Sequence, residues 1–518
     1  MSASADYTAR AGTREWLGLA VIALPCLLYS MDLTVLNLAV PQLSADLKPS
    51  SSQLLWIVDI YGFVLAGCLI TMGTLGDRIG RRRLLLIGAT AFGAASLVAA
   101  FSTSASMLIV ARALLGLAAA TLAPSTLSLI RNMFLDARQR TFAIGVWIAS
   151  FSAGAAIGPL IGGLLLEHFW WGSVFIINVP LMILLLALGP ALLPEFRDPN
   201  AGRLDVISAA LSLLAMLAVI YGMKKFAEGG QMLLPAMVIA ASLGLGAVFL
   251  RRQRQLMSPL IDLSLFRSGV FRVALVVNVL GVFVAFGTFL FIAQYLQLVL
   301  GLSPFKAGLW TAPSGLAFIV GSQLAPALAG RMRPAHVIAG GFAVAAIGFC
   351  VLTQVAGPNA LAAVVTGYVI LSLGLAPVFT LATDLIVSTA PPERAGSASG
   401  LSETSSELGG ALGIAVLGSL VTVIYRGQMA SLPADVPHAV AQIARDTLGG
   451  AVTIVGQLST QTGAALLETA REAFTQGVVI AAAVSAVLAV VAAIMTVTLL
   501  RSAGAAQSRV AEVQTAQH

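Results

Sequence analysis

The sequence predicts an all-α integral membrane protein with fourteen transmembrane helices. Three observations predict it. Of the 518 residues, 58% are hydrophobic and only 10% are charged, against about 25% charged in a soluble domain. Apolar stretches of about 20 residues, the length a helix needs to cross a bilayer, recur between short polar turns. The remaining charges lie almost wholly in those turns. One or two soluble cores do not bury this much apolar surface, so lipid is the solvent of most of the chain.

The first span, Leu17–Val40, reads LGLAVIALPCLLYSMDLTVLNLAV after a polar start. It is too long for a signal-peptide hydrophobic region and lacks a clear small-residue cleavage site, so it is expected to be retained. The others are expected near 53–75, 84–102, 106–129, 141–166, 172–194, 206–223, 232–250, 272–298, 307–329, 335–354, 360–386, 396–424 and 476–500. The seventh and eighth are short and flank the polar turn MKKFAEGGQ. An even number of spans puts both termini on one side. Of the 29 Lys and Arg, 21 lie in the turns of that side or in the two tails, 7 lie on the other, and Arg112 falls within a span. The positive-inside rule then places both termini in the cytoplasm of a multi-pass cell-membrane protein. The net charge of +7 is thus a topology signal, and nucleic acid is excluded as a partner. Two connections are longer: RRQRQLMSPLIDLSLFRSGVF (251–271) on the cytoplasmic side, and 426–475 outside, where small apolar residues at helical spacing predict a helical hairpin on or over the external mouth, with a solvated spacer as the alternative because the apolar faces are weak and alanine-rich.

Few charges lie inside the spans, and each asks for a reason. A carboxylate at mid-membrane costs roughly 2.5–3.5 kcal/mol on insertion scales, so it faces a protein interior or a water-filled cavity. At ~1.5 Å per residue, Asp32 lies roughly 14 Å inside its outer end, and Asp59 and Arg112 roughly 9 Å inside theirs. All three fall at similar depth in the outer half. An arginine between two carboxylates holds them ionised, and its movement toward one favours proton release there. Glu403 and Glu407 in LSETSSELGG are spaced i, i+4 and share one helix face. Two carboxylates so close resist joint ionisation, so one keeps its proton until a cation displaces it. Asp384, at the cytoplasmic end of the twelfth span, is expected to snorkel or cap. Cys26, Cys68 and Cys350 are scattered singly and imply neither disulfide nor metal site. No GxxxxGKS pattern occurs, so no nucleotide or other cofactor is expected.

GDRIGRRR (Gly76–Arg83) follows the second span. Its arginines alone make a positive-inside anchor; the embedded Asp77 and the glycines make a charge-relay latch the more specific reading. Here the chain resembles the major facilitator superfamily, whose loop G-x-x-x-D-R-x-G-R-R is supplied by Gly73, Asp77, Arg78, Gly80, Arg81 and Arg82. MDLTVLNLAVP (Met31–Pro41) is similar to the first-helix signature of that superfamily's fourteen-helix drug:proton antiporter branch. ARALLGLAAATLAP (Ala111–Pro124) resembles the fourth-helix motif, which implies that Arg112 transfers protons. GAAIGPLIGG, with Gly154, Gly158, Pro159, Gly162 and Gly163, resembles the fifth-helix antiporter motif. Its small residues allow close helix approach and its proline bends the helix. WIVDIYGFVLAG (Trp56–Gly67) and WWGSVFIINVP (Trp170–Pro180) are similar to QacA-like multidrug exporters. The C-terminal counterpart of the Asp-Arg-Gly loop, GRMRPAH (Gly330–His336), lacks the Asp.

The resemblance implies two six-helix bundles, 1–195 and 272–518, with two inserted helices and a cytoplasmic connector at 196–271. The second bundle includes the external loop 426–475 and the C-terminal tail. It implies a monomer that exports lipophilic organic cations, such as quaternary ammonium antiseptics and dyes, against protons by alternating access. Protons and cations would compete for Asp32, Asp59, Glu403 and Glu407, with Trp56, Tyr61, Trp310 and Phe379 as aromatic walls suited to cations. An exporter dedicated to one metabolite or antibiotic is the alternative. A membrane sensor or lipid-handling protein without proton coupling is the second. An intramembrane enzyme is not expected, since none of the four histidines lies mid-span beside a nucleophile or metal ligand.

Overall fold

Each expected span is a helix. The computed structural model describes residues 10–49, 51–197, 205–228, 233–256, 259–356, 359–431, 438–458 and 460–516, and among these none is in a strand. The first group is α1 (Thr13–Leu47), α2 (Ser51–Ile79), α3 (Arg81–Ala100), α4 (Ala105–Met133), α5 (Ala137–His168), the one-turn α6 (Ser173–Ile176) and α7 (Asn178–Leu192). Next come α8 (Val206–Glu228) and α9 (Leu233–Gln253). The last group is α10 (Gly269–Gln294), α11 (Pro304–Ala329), α12 (Pro334–Leu352), α13 (Ala360–Thr389), α14 (Ala395–Gln428), the short α15 (His438–Asp446) and α16 (Leu448–Ile454), and α17 (Thr460–Ala516). Fourteen of these stretches are long and apolar enough to cross a membrane, α6 and α7 forming one of them.

Helix starts follow the sequence's polar punctuation. Ser104, Asp136, Ser268 and Ser303 each accept a backbone N–H of the first turn of the helix that follows, satisfying a donor that the helix itself leaves unpaired. GDRIGRRR is mostly helical rather than a loop. Gly76 to Ile79 close α2, Arg81 to Arg83 open α3, and only Gly80 stands between them, with φ +106°. A side chain there is strained in this backbone region and also meets the Glu195 carboxylate, a Cβ falling 2.5 Å from Oε1.

Two cores form. One is built from α1 to α7 around Ile22, Leu28, Ile57, Tyr61, Phe92 and Leu115; the other from α10 to α17 around Phe342, Phe349, Leu417 and Ala473. We call these the N-terminal and C-terminal halves. They meet along α2/α14 and α5/α11, with α4 also touching α14 and α5 touching α13. Glycine makes the closest of these contacts possible: Gly73 of α2 lies against the backbone of Gly396 in α14, leaving no room for a methyl group. A third, smaller core holds Phe249 of α9, Leu260, Ile261, Leu265, and residues of α10, α13 and α14. Outward faces carry Leu164, Ile183, Leu233, Leu243, Leu316 and Val487, as lipid contact requires. The 426–475 connection differs from the expected hairpin. Its second piece, from 460 onward, is the start of α17, because a run of good helix formers continues into the span without an interruption.

Fourteen successive spans alternate in direction, so α1 starts and α17 ends at one face, here called the terminal face.

Candidate functional site

Asp32 and Tyr29 lie one turn apart on α1. Arg112 of α4 reaches across with Nη1 and donates to Asp32 Oδ2 at 2.5 Å, while its Nε donates to the Ile57 carbonyl at 3.2 Å. Its guanidinium also lies 4.6 Å over the ring of Tyr61 of α2, a favourable placement for a cation. The pair is nearly dry, with side-chain exposures of 1% and 3%. Removing one partner of such a pair leaves an uncompensated charge, at a cost of about 3–5 kcal/mol. Asp59 is half-buried on α2, two residues past Ile57, whose carbonyl takes the Arg112 Nε.

From this pair a line of polar groups runs to the other half. Tyr61 is fully buried, and its ring lies 6.3 Å from that of Tyr29. The Tyr29 hydroxyl donates to Glu407 Oε1 of α14 at 2.8 Å, a hydrogen bond between the two halves. Edge contact with Phe151 of α5, 5.4 Å between centroids, fixes the Tyr29 ring. Glu403, one turn before Glu407, is half-buried on the same face of α14 and within electrostatic range of Tyr29 and Cys26. Asn278 of α10 steadies that face by donating to the hydroxyls of Ser405 and Ser406, each at 2.8 Å. The sequence reading omitted Tyr29. Its one available signal was the spacing to Asp32.

The expected aromatic walls divide. Tyr61 belongs to the line just described, and Phe379 packs against both cores beside Phe318, 5.9 Å between centroids. Trp56 and Trp310 are 41% and 44% exposed and lie outside both cores.

At the terminal face Asp77 has three partners. Its Oδ1 accepts from Arg81 Nη2 at 2.7 Å and from the Gly396 amide at 2.9 Å, and Oδ2 accepts from the Ser397 amide at 2.9 Å. An α2 carboxylate thereby caps the N-terminus of α14, where amides and dipole both favour negative charge. Arg81 adds a bond to the Pro392 carbonyl at 2.6 Å. Arg82 turns the other way, to the carbonyls of Pro190 and Leu193 in its own half, and Arg78 is half-buried at the end of α2. In the fifth-helix motif, Gly154 lies against the Leu27 backbone of α1 and Gly162 against the Val35 side chain. Gly158 is buried and Gly163 exposed, and the Pro159 side chain lies outside the described residues.

Asp384 neither snorkels nor caps. It is 9% exposed and accepts Arg140 Nε at 2.8 Å and Thr141 Oγ1 at 2.7 Å, both from the first turn of α5. The chain fold brings an acid and a base of similar depth together, which spacing along the sequence does not reveal. Among the described residues no cluster of three His, Cys, Asp or Glu is placed to hold a metal ion.

Comparison with known proteins adds independent findings. The family model described as Major Facilitator Superfamily matches residues 22–414. The multidrug efflux pump LfrA of Mycolicibacterium smegmatis is 43% identical over 486 residues, covering 94% of this chain and 96% of that protein. The methyl viologen resistance protein SmvA of Salmonella typhimurium is 38% identical over 89% of this chain and 93% of its own. The tetracenomycin C resistance and export protein of Streptomyces glaucescens is 33% identical, over 93% and 90%. Among solved structures, the human organic anion transporter MFSD10 superposes with a TM-score of 0.57 at 15% identity, over 92% of this chain and 99% of that one. That likeness speaks to the fold alone.

Proposed function

Since the chain belongs to the major facilitator superfamily and is a membrane drug-efflux transporter rather than an enzyme, we propose that it exports lipophilic organic cations in exchange for protons. The observation that carries this reading is the polar line Glu407–Tyr29–Tyr61–Arg112–Asp32, which joins both halves within their membrane-spanning helices. Asp32, Asp59, Glu403 and Glu407 supply sites for which a proton and an organic cation compete, and Arg112 holds the Asp32 charge between turnovers. The line ends in an acid on each side of the junction between the halves. Loading either acid therefore bears on whether the halves stay together.

In this reading the units are 1–195, 272–518 and the inserted 196–271, working as a monomer. The terminal face is cytoplasmic, as the arginine-rich turns favour, and the halves rock about the mid-membrane site. The Asp77 cap and the Arg140–Asp384 pair hold the cytoplasmic side shut while cargo leaves outward. A relative named for resistance to methyl viologen, an organic dication, supports cationic cargo. A relative named for tetracenomycin C export supports the second reading, an exporter dedicated to one compound. Relatives named as efflux and export proteins weigh against the sensor or lipid-handling alternative.

The test is export from cells and from reconstituted vesicles carrying a pH gradient, over a panel of dyes and quaternary ammonium compounds. Asp32→Asn and Glu407→Gln are each expected to abolish gradient-driven export of dications. Undiminished export by both variants would reject the role of these acids. Transport of one compound alone would select the second reading.

A further inference from the structure

We propose that α8, α9 and the connector that follows them form a clasp that locks the two halves together at the terminal face, with the Leu260 carbonyl as its bridging point. The inference rests on the halves parting at that face during transport, and not on the cargo or on proton coupling.

The Leu260 carbonyl accepts from two side chains that belong to different halves. Thr74 Oγ1 of α2 lies at 2.7 Å and Ser397 Oγ of α14 at 3.2 Å. A carbonyl oxygen has two lone pairs, and here each half fills one. The position of Leu260 is itself enforced. Gln253, the last residue of α9 and 2% exposed, accepts the Leu260 amide on Oε1 at 2.7 Å and donates from Nε2 to Ser208 of α8 at 2.7 Å. Leu260 is fully buried in the third core, which reaches Phe271 of α10 and Ala398 of α14.

Two ion pairs fasten the ends of the device. Arg252 of α9 holds Asp205, just before α8, through bonds of 2.7 and 3.1 Å. Beyond Leu260, Asp262 accepts the Ser264 amide at 2.9 Å and pairs at 2.6 Å with Arg394, the residue before α14. The Arg252 hydrogen bond draws Asp205 down to about 2. Burial opposes ionisation of Asp262, but Ser264 and Arg394 together hold it below the usual carboxylate range. Both acids are thus charged at neutral pH. The helix α8 itself lies along both α2 and α14.

When α2 and α14 separate at this face, the connector can follow only one of them. With Arg394 and the third core holding it to α14, the bond that yields is the one from Thr74. The inserted helices therefore bias the transporter toward the form closed at the terminal face, and Thr74, Ser397 and Gln253 are positioning residues of that bias.

The test measures a distance that the clasp does not touch. Spin labels on Arg138, at the start of α5, and Met332, after α11, both exposed, report the separation of the halves by pulsed electron resonance. The full-length protein lacking Cys26, Cys68 and Cys350 serves as parent. Thr74→Val keeps shape and loses the donor. Losing the Thr74 bond should raise the fraction of long distances about 5-fold. Thr74→Val and the double variant with Ser397→Ala are expected to do so, while Thr74→Ser matches the parent. Gln253→Ala should show the same shift by releasing Leu260. Parent-like distances in the Thr74 and Ser397 variants, with normal gel-filtration behaviour, would overturn the clasp. Failure of the parent to export any cation rejects the proposed cargo and leaves these distances unchanged.

Discussion

Breaking the Arg140–Asp384 pair should open the terminal face by a measurable factor. In Asp384→Asn the Arg140 guanidinium loses its charge partner, and the Thr141 hydroxyl keeps only a neutral acceptor. The side chains are 11% and 12% exposed, so the loss falls below the full penalty of about 3–5 kcal/mol for a dry pair. We take about 2–3 kcal/mol, because water reaches one edge of the pair and screens part of the charge. When the halves part, Arg140 meets water and regains its solvation, so this cost applies to the closed form alone. The closed-to-open ratio therefore falls about 30- to 150-fold. A cysteine at Ser322 reads the change directly, since Ser322 is fully buried where α11 meets Gly145 of α5. Its alkylation rate follows the open fraction when opening is fast and reversible. The expected result is a rate rise of at least ~30-fold in Asp384→Asn, and partial reversal in the charge-swapped Arg140→Asp/Asp384→Arg. An unchanged rate in a protein that still purifies as a stable species would refute the latch, and with it the reasoning that this pair resists opening.

Two further predictions concern the Tyr29–Glu407 bond and the turn between α2 and α3. Tyr29→Phe and Glu407→Gln should be non-additive in the affinity for a lipophilic cation probe, with a coupling of about 1 kcal/mol from their shared hydrogen bond; simple additivity would separate the two residues. Gly80→Ala should destabilise the protein by about 1–2 kcal/mol, through the left-handed backbone alone and more through the Glu195 contact. A melting temperature equal to the parent's would contradict the strain argued at this turn.

The fold was legible because lipid is an undemanding reader of sequence. Fourteen apolar runs of the right length suffice, and the arginine-rich turns divide into two sides without any knowledge of packing. The Arg112–Asp32 pair was legible for a related reason: ionised groups within spans are few, and equal depth makes them each other's natural partners. What escaped was whatever depends on helix rotation. Nearly uniform hydropathy around a helix hides its inner face, so nothing in the sequence marks Tyr29 as the residue that reaches Glu407. Asp384 was assigned to solvent because its partner lies 244 residues away. The Leu260 carbonyl is a backbone atom, and no side-chain pattern marks a backbone acceptor.

The distribution of charge between the halves follows from the need to separate them. Arg112 and Asp32 form the driest pair, and both lie in the N-terminal half, on α4 and α1, so the pair stays intact when the halves move apart. Asp77 and Arg81 obey the same rule. Their ion pair is internal to the N-terminal half, and what crosses to α14 are bonds to the Gly396 and Ser397 amides and the Pro392 carbonyl. Breaking those leaves no naked charge behind, only neutral backbone groups that water can solvate. Arg140–Asp384 spans the halves, and it is wetter than Arg112–Asp32. A pair as dry as Arg112–Asp32 in that position would cost several kcal/mol at each opening. A ligand needs about 5.5 kcal/mol of differential affinity to carry a population from 1:99 to 99:1. A latch of about 2–3 kcal/mol leaves room within that figure for the Asp77 cap and for Tyr29–Glu407 to be released by the same binding event. Deep pairs kept within one half, and shallow or neutral contacts between the halves, are what a reversible closure of this strength demands.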